Sequence, residues 1–109
     1  MSSILIPSVV VAELRYGAEK SEKKSENYRK ITEFLRPFVI TPFDDESASI
    51  YAGIRADSER DGKPVGPNDL LIAATVMASN GILVTRNKDE FSAIKGLRLE
   101  DWTEGTGQG

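Results

Sequence analysis

Gly66-Pro67-Asn68-Asp69-Leu70-Leu71-Ile72-Ala73-Ala74-Thr75-Val76-Met77-Ala78 reads as a turn that breaks into a helix, with one acid at the helix mouth. Pro67 suits the last turn residue or the first helical position, Asn68 can cap, and Asp69 sits where the helix dipole favours negative charge. From Leu70 to Ala78 only Thr75 is polar, so the helix is apolar on nearly every face. Such a helix is buried, inside a core or between a sheet and a partner. Asn80-Gly81 beyond it makes a good left-handed stop. Taken alone, Asp69 is more simply a cap than a ligand.

Outward from this helix the punctuation is regular. Downstream, Ile82-Leu83-Val84-Thr85 is a short buried strand, Arg86 to Phe91 holds one short helical piece, and Leu97-Arg98-Leu99-Glu100-Asp101-Trp102 alternates as a half-buried strand. Residues 103–109 are Gly-rich and polar, a tail expected to be flexible. Upstream, Asp61-Gly62-Lys63-Pro64 is a loop, and Asp44-Asp45-Glu46 opens a helix to about residue 60. Phe38-Val39-Ile40-Thr41-Pro42-Phe43 reads as a strand, placed by its proline near an edge or a strand end.

Before that strand, a helix over residues 26–35 carries an inner stripe of Tyr28, Ile31, Phe34, Leu35 and Phe38. Glu19 to Ser25 is an exposed connection. Ser8 caps a helix over residues 9–18, and Ser3-Ile4-Leu5-Ile6-Pro7 is a buried strand. The order βααβααβ(α)β implies an α/β fold, with a mainly parallel sheet between two layers of helices. One domain spans residues 1–102.

Composition narrows the chemistry. The 109 residues suffice for one core, and a net charge of −3 gives no global field for nucleic acid. Histidine and cysteine are both absent. Imidazole bases, thiol nucleophiles, disulfides and the usual zinc sites are therefore excluded. Carboxylates, hydroxyls, Lys and Arg remain, and hard cations held by oxygen are the natural cofactors. No apolar run reaches membrane-spanning length and no secretory leader is evident, so a cytoplasmic location is expected.

Ligands of parallel sheets collect beyond the strand carboxyl ends, where helices begin. Glu13 in the first helix, Asp69, and the Asn87 and Glu90 that follow the strand ending at Thr85 all lie near such junctions. Glu13 stands among Val9, Val10, Val11, Ala12 and Leu14, and a buried carboxylate there needs compensation. Either a Mg²⁺ ion or an ion pair with Arg15 or Arg86 would serve. Asn87 and Glu90 also suit the cap and first-turn acid of a short helix.

Val9-Val10-Val11-Ala12-Glu13-Leu14-Arg15-Tyr16-Gly17-Ala18-Glu19-Lys20-Ser21 resembles a sequence block of PIN-domain toxins of the VapC type. Later blocks follow in order: Ile54-Arg55-Ala56, the stretch from Gly66 to Ala74, and Leu83-Val84-Thr85-Arg86-Asn87 with Phe91 and Gly96-Leu97. The resemblance runs from Ile4 to Trp102. It implies a PIN-like three-layer fold and an endoribonuclease dependent on Mg²⁺ or Mn²⁺. It further implies the toxin half of a toxin–antitoxin pair, dimeric and inhibited by a small VapB-type antitoxin. Glu13 and Asp69 match the catalytic, metal-binding acids, and Asn87 and Glu90 match the region of the remaining polar ligand. The cation would activate a water against the scissile phosphate.

The family pattern also begins with a strand ending in a Leu-Asp-Thr-Asn-like segment, whereas no acid here precedes Glu13. The expectation is a chain shortened at its N-terminus, of weak or no nuclease activity, whose status as an enzyme stays open. A missing central strand would leave unpaired edges, so a dimer or higher assembly is expected. The alternative is a non-catalytic PIN-like module that pairs with antitoxin or toxin subunits, or a structural fragment. Lys20, Lys23, Lys24, Arg29 and Lys30 form either an RNA-facing patch or, interleaved with Glu19, Glu22 and Glu26, a solvated helical face.

Overall fold

Strand passes straight into helix at Pro7–Ser8. In the computed structural model, which describes residues 5–85 and 87–101, strand β1 (Leu5–Pro7) ends where helix α1 (Ser8–Lys20) begins. Pro7 occupies the cap position in extended backbone and no side chain caps the helix. Ser8 is thus the first helical residue rather than the cap. Proline at the cap holds the chain extended until the turn into the helix.

The chain falls into two compact units, residues 1–42 and 43–109. In the first, α1 is followed by helix α2 (Lys24–Leu35) and strand β2 (Val39–Thr41). β1 and β2 run parallel, with Leu5, Ile6 and Pro7 opposite Val39, Ile40 and Thr41. The exposed connection expected over Glu19 to Ser25 is confined to residues 21–23. Ser21 Oγ donates to the Ala18 carbonyl at 2.7 Å and accepts from Asn27 Nδ2 at 2.9 Å, so α1 continues through Lys20. The stripe expected on α2 is only partly realised. Leu35 is buried, but Tyr28 and Phe34 are exposed, with Phe34 set edge-on to Phe38 at 5.4 Å between ring centres.

The second unit contains helix α3 (Asp45–Arg60), helix α4 (Pro67–Ala78), strand β3 (Ile82–Thr85), the single turn α5 (Lys88–Phe91) and strand β4 (Arg98–Asp101). α4 packs against α3, and the centre of its apolar run is buried while Leu71, Ile72, Met77 and Ala78 are half-buried. Leu70, Ala73, Ala74, Thr75 and Val76 are buried, and Ile54, Phe91 and Ile94 complete the core around them. Burying a side chain the size of Leu70 contributes about 1.5–3 kcal/mol. The core's polar atoms are satisfied: Thr75 Oγ1 donates to the Leu71 carbonyl at 2.8 Å, and Ser58 Oγ to the Lys63 carbonyl at 2.6 Å.

Both ends of α4 follow from its sequence, one of them differently from expectation. Gly66, not Asn68, holds the cap position, with φ −58° and ψ 149°. Pro67 already has a helical φ and no N–H to satisfy, so the helix starts two residues earlier than an Asn68 cap would allow. At the far end Asn80 adopts φ 57°, its N–H bonds the Met77 carbonyl, and Gly81 N–H bonds the Val76 carbonyl at 2.9 Å. These are the paired bonds of a Schellman stop, with Asn80 rather than Gly81 in the left-handed position.

β3 and β4 pair in parallel, Ile82 with Arg98 through Thr85 with Asp101. Every described strand pairing is parallel, in two two-stranded sheets, and helices dominate the rest. Trp102 and residues 103–109 lie outside the described residues, as does Ile4. Among the described residues no helix is long and apolar enough to cross a membrane.

Candidate functional site

Glu13 lies midway along α1, its side chain exposed. The burial that would have required a compensating charge is therefore not found, because the helix turns its half-buried face, Val9, Val10, Val11 and Leu14, elsewhere. Nor does Arg15 pair with it. Arg15 Nη1 donates to Thr32 Oγ1 at 3.0 Å, and its guanidinium lies 4.3 Å from the centre of the Tyr28 ring. Arg86, the other proposed partner, lies outside the described residues.

Asp69 is in the first turn of α4, half-buried. Its carboxylate is turned back toward the cap: a Cβ built on Gly66 would lie 3.9 Å from Asp69 Oδ2. Its carboxylate enters no hydrogen bond or ion pair among the described residues. The helix dipole still favours its charge.

Asn87 and Glu90 sit on either side of the start of α5, both exposed. The Asn87 backbone N–H donates to Thr85 Oγ1 at 3.0 Å, and the Glu90 N–H donates to the Asn87 carbonyl at 3.0 Å. These backbone bonds fix the turn after β3 while leaving the Asn87 amide and Glu90 carboxylate unengaged among the described residues. Asn87 holds the cap position, yet its side chain does not cap.

Asp69, Asn87 and Glu90 thus belong to the second unit and Glu13 to the first. Among the described residues no three acids form a ready-made metal cluster. Within the second unit, Asp69, Asn87 and Glu90 offer two carboxylates and an amide oxygen, none taken up by a described hydrogen bond or ion pair, and these are donor types that suit a hard divalent cation.

One feature of the second unit had no role in the sequence reading. Tyr51, Arg55, Ser58, Glu59, Val65 and Pro67 are among the residues lining a cavity of about 160 Å³ beside the start of α4. Arg55 Nε reaches Glu59 at 3.1 Å and Arg55 Nη1 donates to the Tyr51 hydroxyl at 3.0 Å, and these two partners raise the guanidinium further above its ordinary pKa. The spacing of Tyr51, Arg55 and Glu59, four apart on one helix, was the available signal.

Comparison with known proteins places this geometry. Residues 1–97 match the PIN domain family. Ribonuclease VapC2 of Rickettsia felis is 43% identical over 101 residues, 93% of this chain and 75% of the relative. The tRNA(fMet)-specific endonuclease VapC of Shigella flexneri is 41% identical over 98 residues, 90% of this chain and 74% of the relative. Among solved structures, VapBC2 from Rickettsia felis bound to a DNA fragment from their promoter superposes with a TM-score of 0.88 at 43% identity. That alignment covers 92% of this chain and 75% of the solved one. VapBC-1 from nontypeable Haemophilus influenzae gives 0.89 at 28% identity, over 93% and 75% of the two chains. With its α/β elements, parallel strand pairs and oxygen donors at helix starts, the chain belongs to the PIN-domain family, among its VapC-type members.

Proposed function

We propose that this chain is the toxin component of a VapBC-type toxin–antitoxin system, an endoribonuclease that works with Mg²⁺ or Mn²⁺ in the cytoplasm. The observation that carries the reading is 43% identity to a VapC ribonuclease across 93% of the chain. Divalent-metal dependence is general among PIN-domain ribonucleases of this type.

Glu13 and Asp69 would supply anionic oxygens to such a cation, and Asn87 and Glu90 would be the further polar donors. What a divalent cation supplies when bound there is a lowered water pKa and neutralisation of charge on the phosphate. The residues' own work is to hold that charge in place and to accept a proton. With no histidine or cysteine in the chain, a carboxylate is the proton acceptor available near neutral pH. Unengaged side chains suit this role, since a carboxylate committed to an ion pair would have to break it before binding metal.

RNA cleavage with Mg²⁺ or Mn²⁺ tests the reading, against Glu13→Ala, Asp69→Ala and excess chelator. Cleavage lost in all three supports it. Cleavage indifferent to both substitutions, or to chelation, overturns it.

A second reading, a non-catalytic module that pairs with an antitoxin or with further copies, has its own observation. Leu5, Val39, Ile40, Ile82 and Val84 are large aliphatics on strands, yet each is more than two-fifths exposed. Exposed apolar strand surface is a mark of association. Antitoxin binding without metal-dependent cleavage would favour this module.

A further inference from the structure

α1, α2 and the turn between them form a shallow groove of about 480 Å³ lined by Glu19, Lys24, Ser25, Tyr28 and Arg29. In the sequence its cations alternate with acids, as on any solvated helix. The pairing in the structure is uneven. Lys30 reaches Glu26 at 3.3 Å, Arg36 reaches Glu33 at 2.7 Å, and the Lys20 ammonium lies 5.1 Å from the centre of the Tyr16 ring. Lys24 and Arg29 enter no ion pair among the described residues, and both line the groove.

Tyr28 lines the groove with them and is 41% exposed. The Arg15 guanidinium is 4.3 Å from its ring centre, yet Arg15 does not line the groove. The ring thus stacks on a cation that is not itself part of the groove lining. That cation is itself fixed: Arg15 donates to Thr32 Oγ1, and Thr32 Oγ1 donates to the Tyr28 carbonyl at 3.1 Å. An exposed aromatic ring in a groove that also holds two cations free of described ion pairs is the combination that binds single-stranded nucleic acid. An acidic peptide would use the cations and leave the ring idle. Glu19 also lines the groove and can accept from a ribose hydroxyl or a base amine.

We propose that this groove is an accessory site for single-stranded RNA, with one base stacked on Tyr28 and flanking phosphates held by Lys24 and Arg29. The ligand class rests on the ribonuclease reading above, while the geometry belongs to the first unit alone.

The test is binding of a fluorescein-labelled single-stranded RNA oligonucleotide in chelator, where metal-dependent cleavage cannot intrude. Tyr28→Ala weakens binding about tenfold, and Tyr28→Phe, which keeps the ring, restores it. The double variant Lys24→Glu/Arg29→Glu weakens binding at least as much and flattens the slope of log affinity against log salt by about 1 to 1.5. Unchanged melting curves keep the variants comparable. The proposal is overturned if the affinity survives both changes, if the unaltered chain binds no RNA, or if polyglutamate competes as well as RNA does. Cleavage that persists with an indifferent groove sinks this inference alone. Groove-dependent binding with no cleavage supports it and sinks the nuclease reading instead.

Discussion

Asp44 and Ser47 are joined twice: Asp44 Oδ1 accepts from the Ser47 backbone N–H and from the Ser47 hydroxyl, each at 2.9 Å. The contact caps α3 and satisfies a serine that is 1% exposed, so one carboxylate oxygen closes a helix end and a buried polar group together.

Removing that oxygen should therefore be felt. The Ser47 N–H and hydroxyl bonds hold the Asp44 pKa below its ordinary value of 3.8. A depressed carboxylate pKa stabilises the fold at pH values above the unfolded pKa, and the benefit disappears as pH falls through the folded value. Asp44→Ala should lower the melting temperature by a few degrees at neutral pH, and the difference from the unaltered chain should shrink below about pH 4. Calorimetry across that range checks both; a constant difference would show that the charge is irrelevant.

Ala73 and Ala74 are wholly buried at the centre of α4. There is no room at these positions for further methylenes. Ala74→Leu should destabilise the chain by about 1–3 kcal/mol through overpacking, measured by denaturant unfolding. A neutral result would mean that the core around α4 is looser than described.

Asn80 holds a positive φ of 57° without being glycine. Asparagine tolerates this region better than alanine does, because its short amide can bond locally. Asn80→Ala should cost about 1 kcal/mol or somewhat more, whereas Asn80→Gly should leave stability nearly unchanged. The order of the two melting temperatures decides it.

Gly66 tests the mouth of α4 differently. Its φ of −58° is open to any residue, and a Cβ there would meet only Asp69 Oδ2 at ordinary contact distance. Gly66→Ala should fold normally and keep metal-dependent activity. On the nuclease reading, Asp69→Ala should abolish cleavage while melting close to the unaltered chain, because its carboxylate enters no described hydrogen bond or ion pair. Paired melts and cleavage assays separate fold from chemistry at adjacent positions.

The sequence was most legible where one signal stood unopposed. The apolar run of α4 and its Asn80-Gly81 stop are as expected, since nothing in the fold competes with them. It was less so where two local signals competed: Asn68 is a good cap, yet Pro67 had already begun the helix. Tyr28 and Phe34 have the period of an inner stripe but remain exposed, because spacing along α2 does not say which of two apolar edges the neighbouring helix covers. Glu13 seemed buried for the same reason. The acids themselves were easy to pick out in a chain without histidine, whereas their grouping depends on tertiary contacts that no local pattern encodes.

The Schellman stop has a chemical consequence beyond stability. An asparagine followed by glycine is the peptide unit most easily lost to deamidation in a loose chain, because the glycine nitrogen can attack the asparagine amide carbon. Here that nitrogen is committed to the Val76 carbonyl, and the Asn80 carbonyl accepts from Arg98. The folded protein shields its own weakest residue, so conversion of Asn80 to aspartate or isoaspartate would record the time a molecule had spent unfolded.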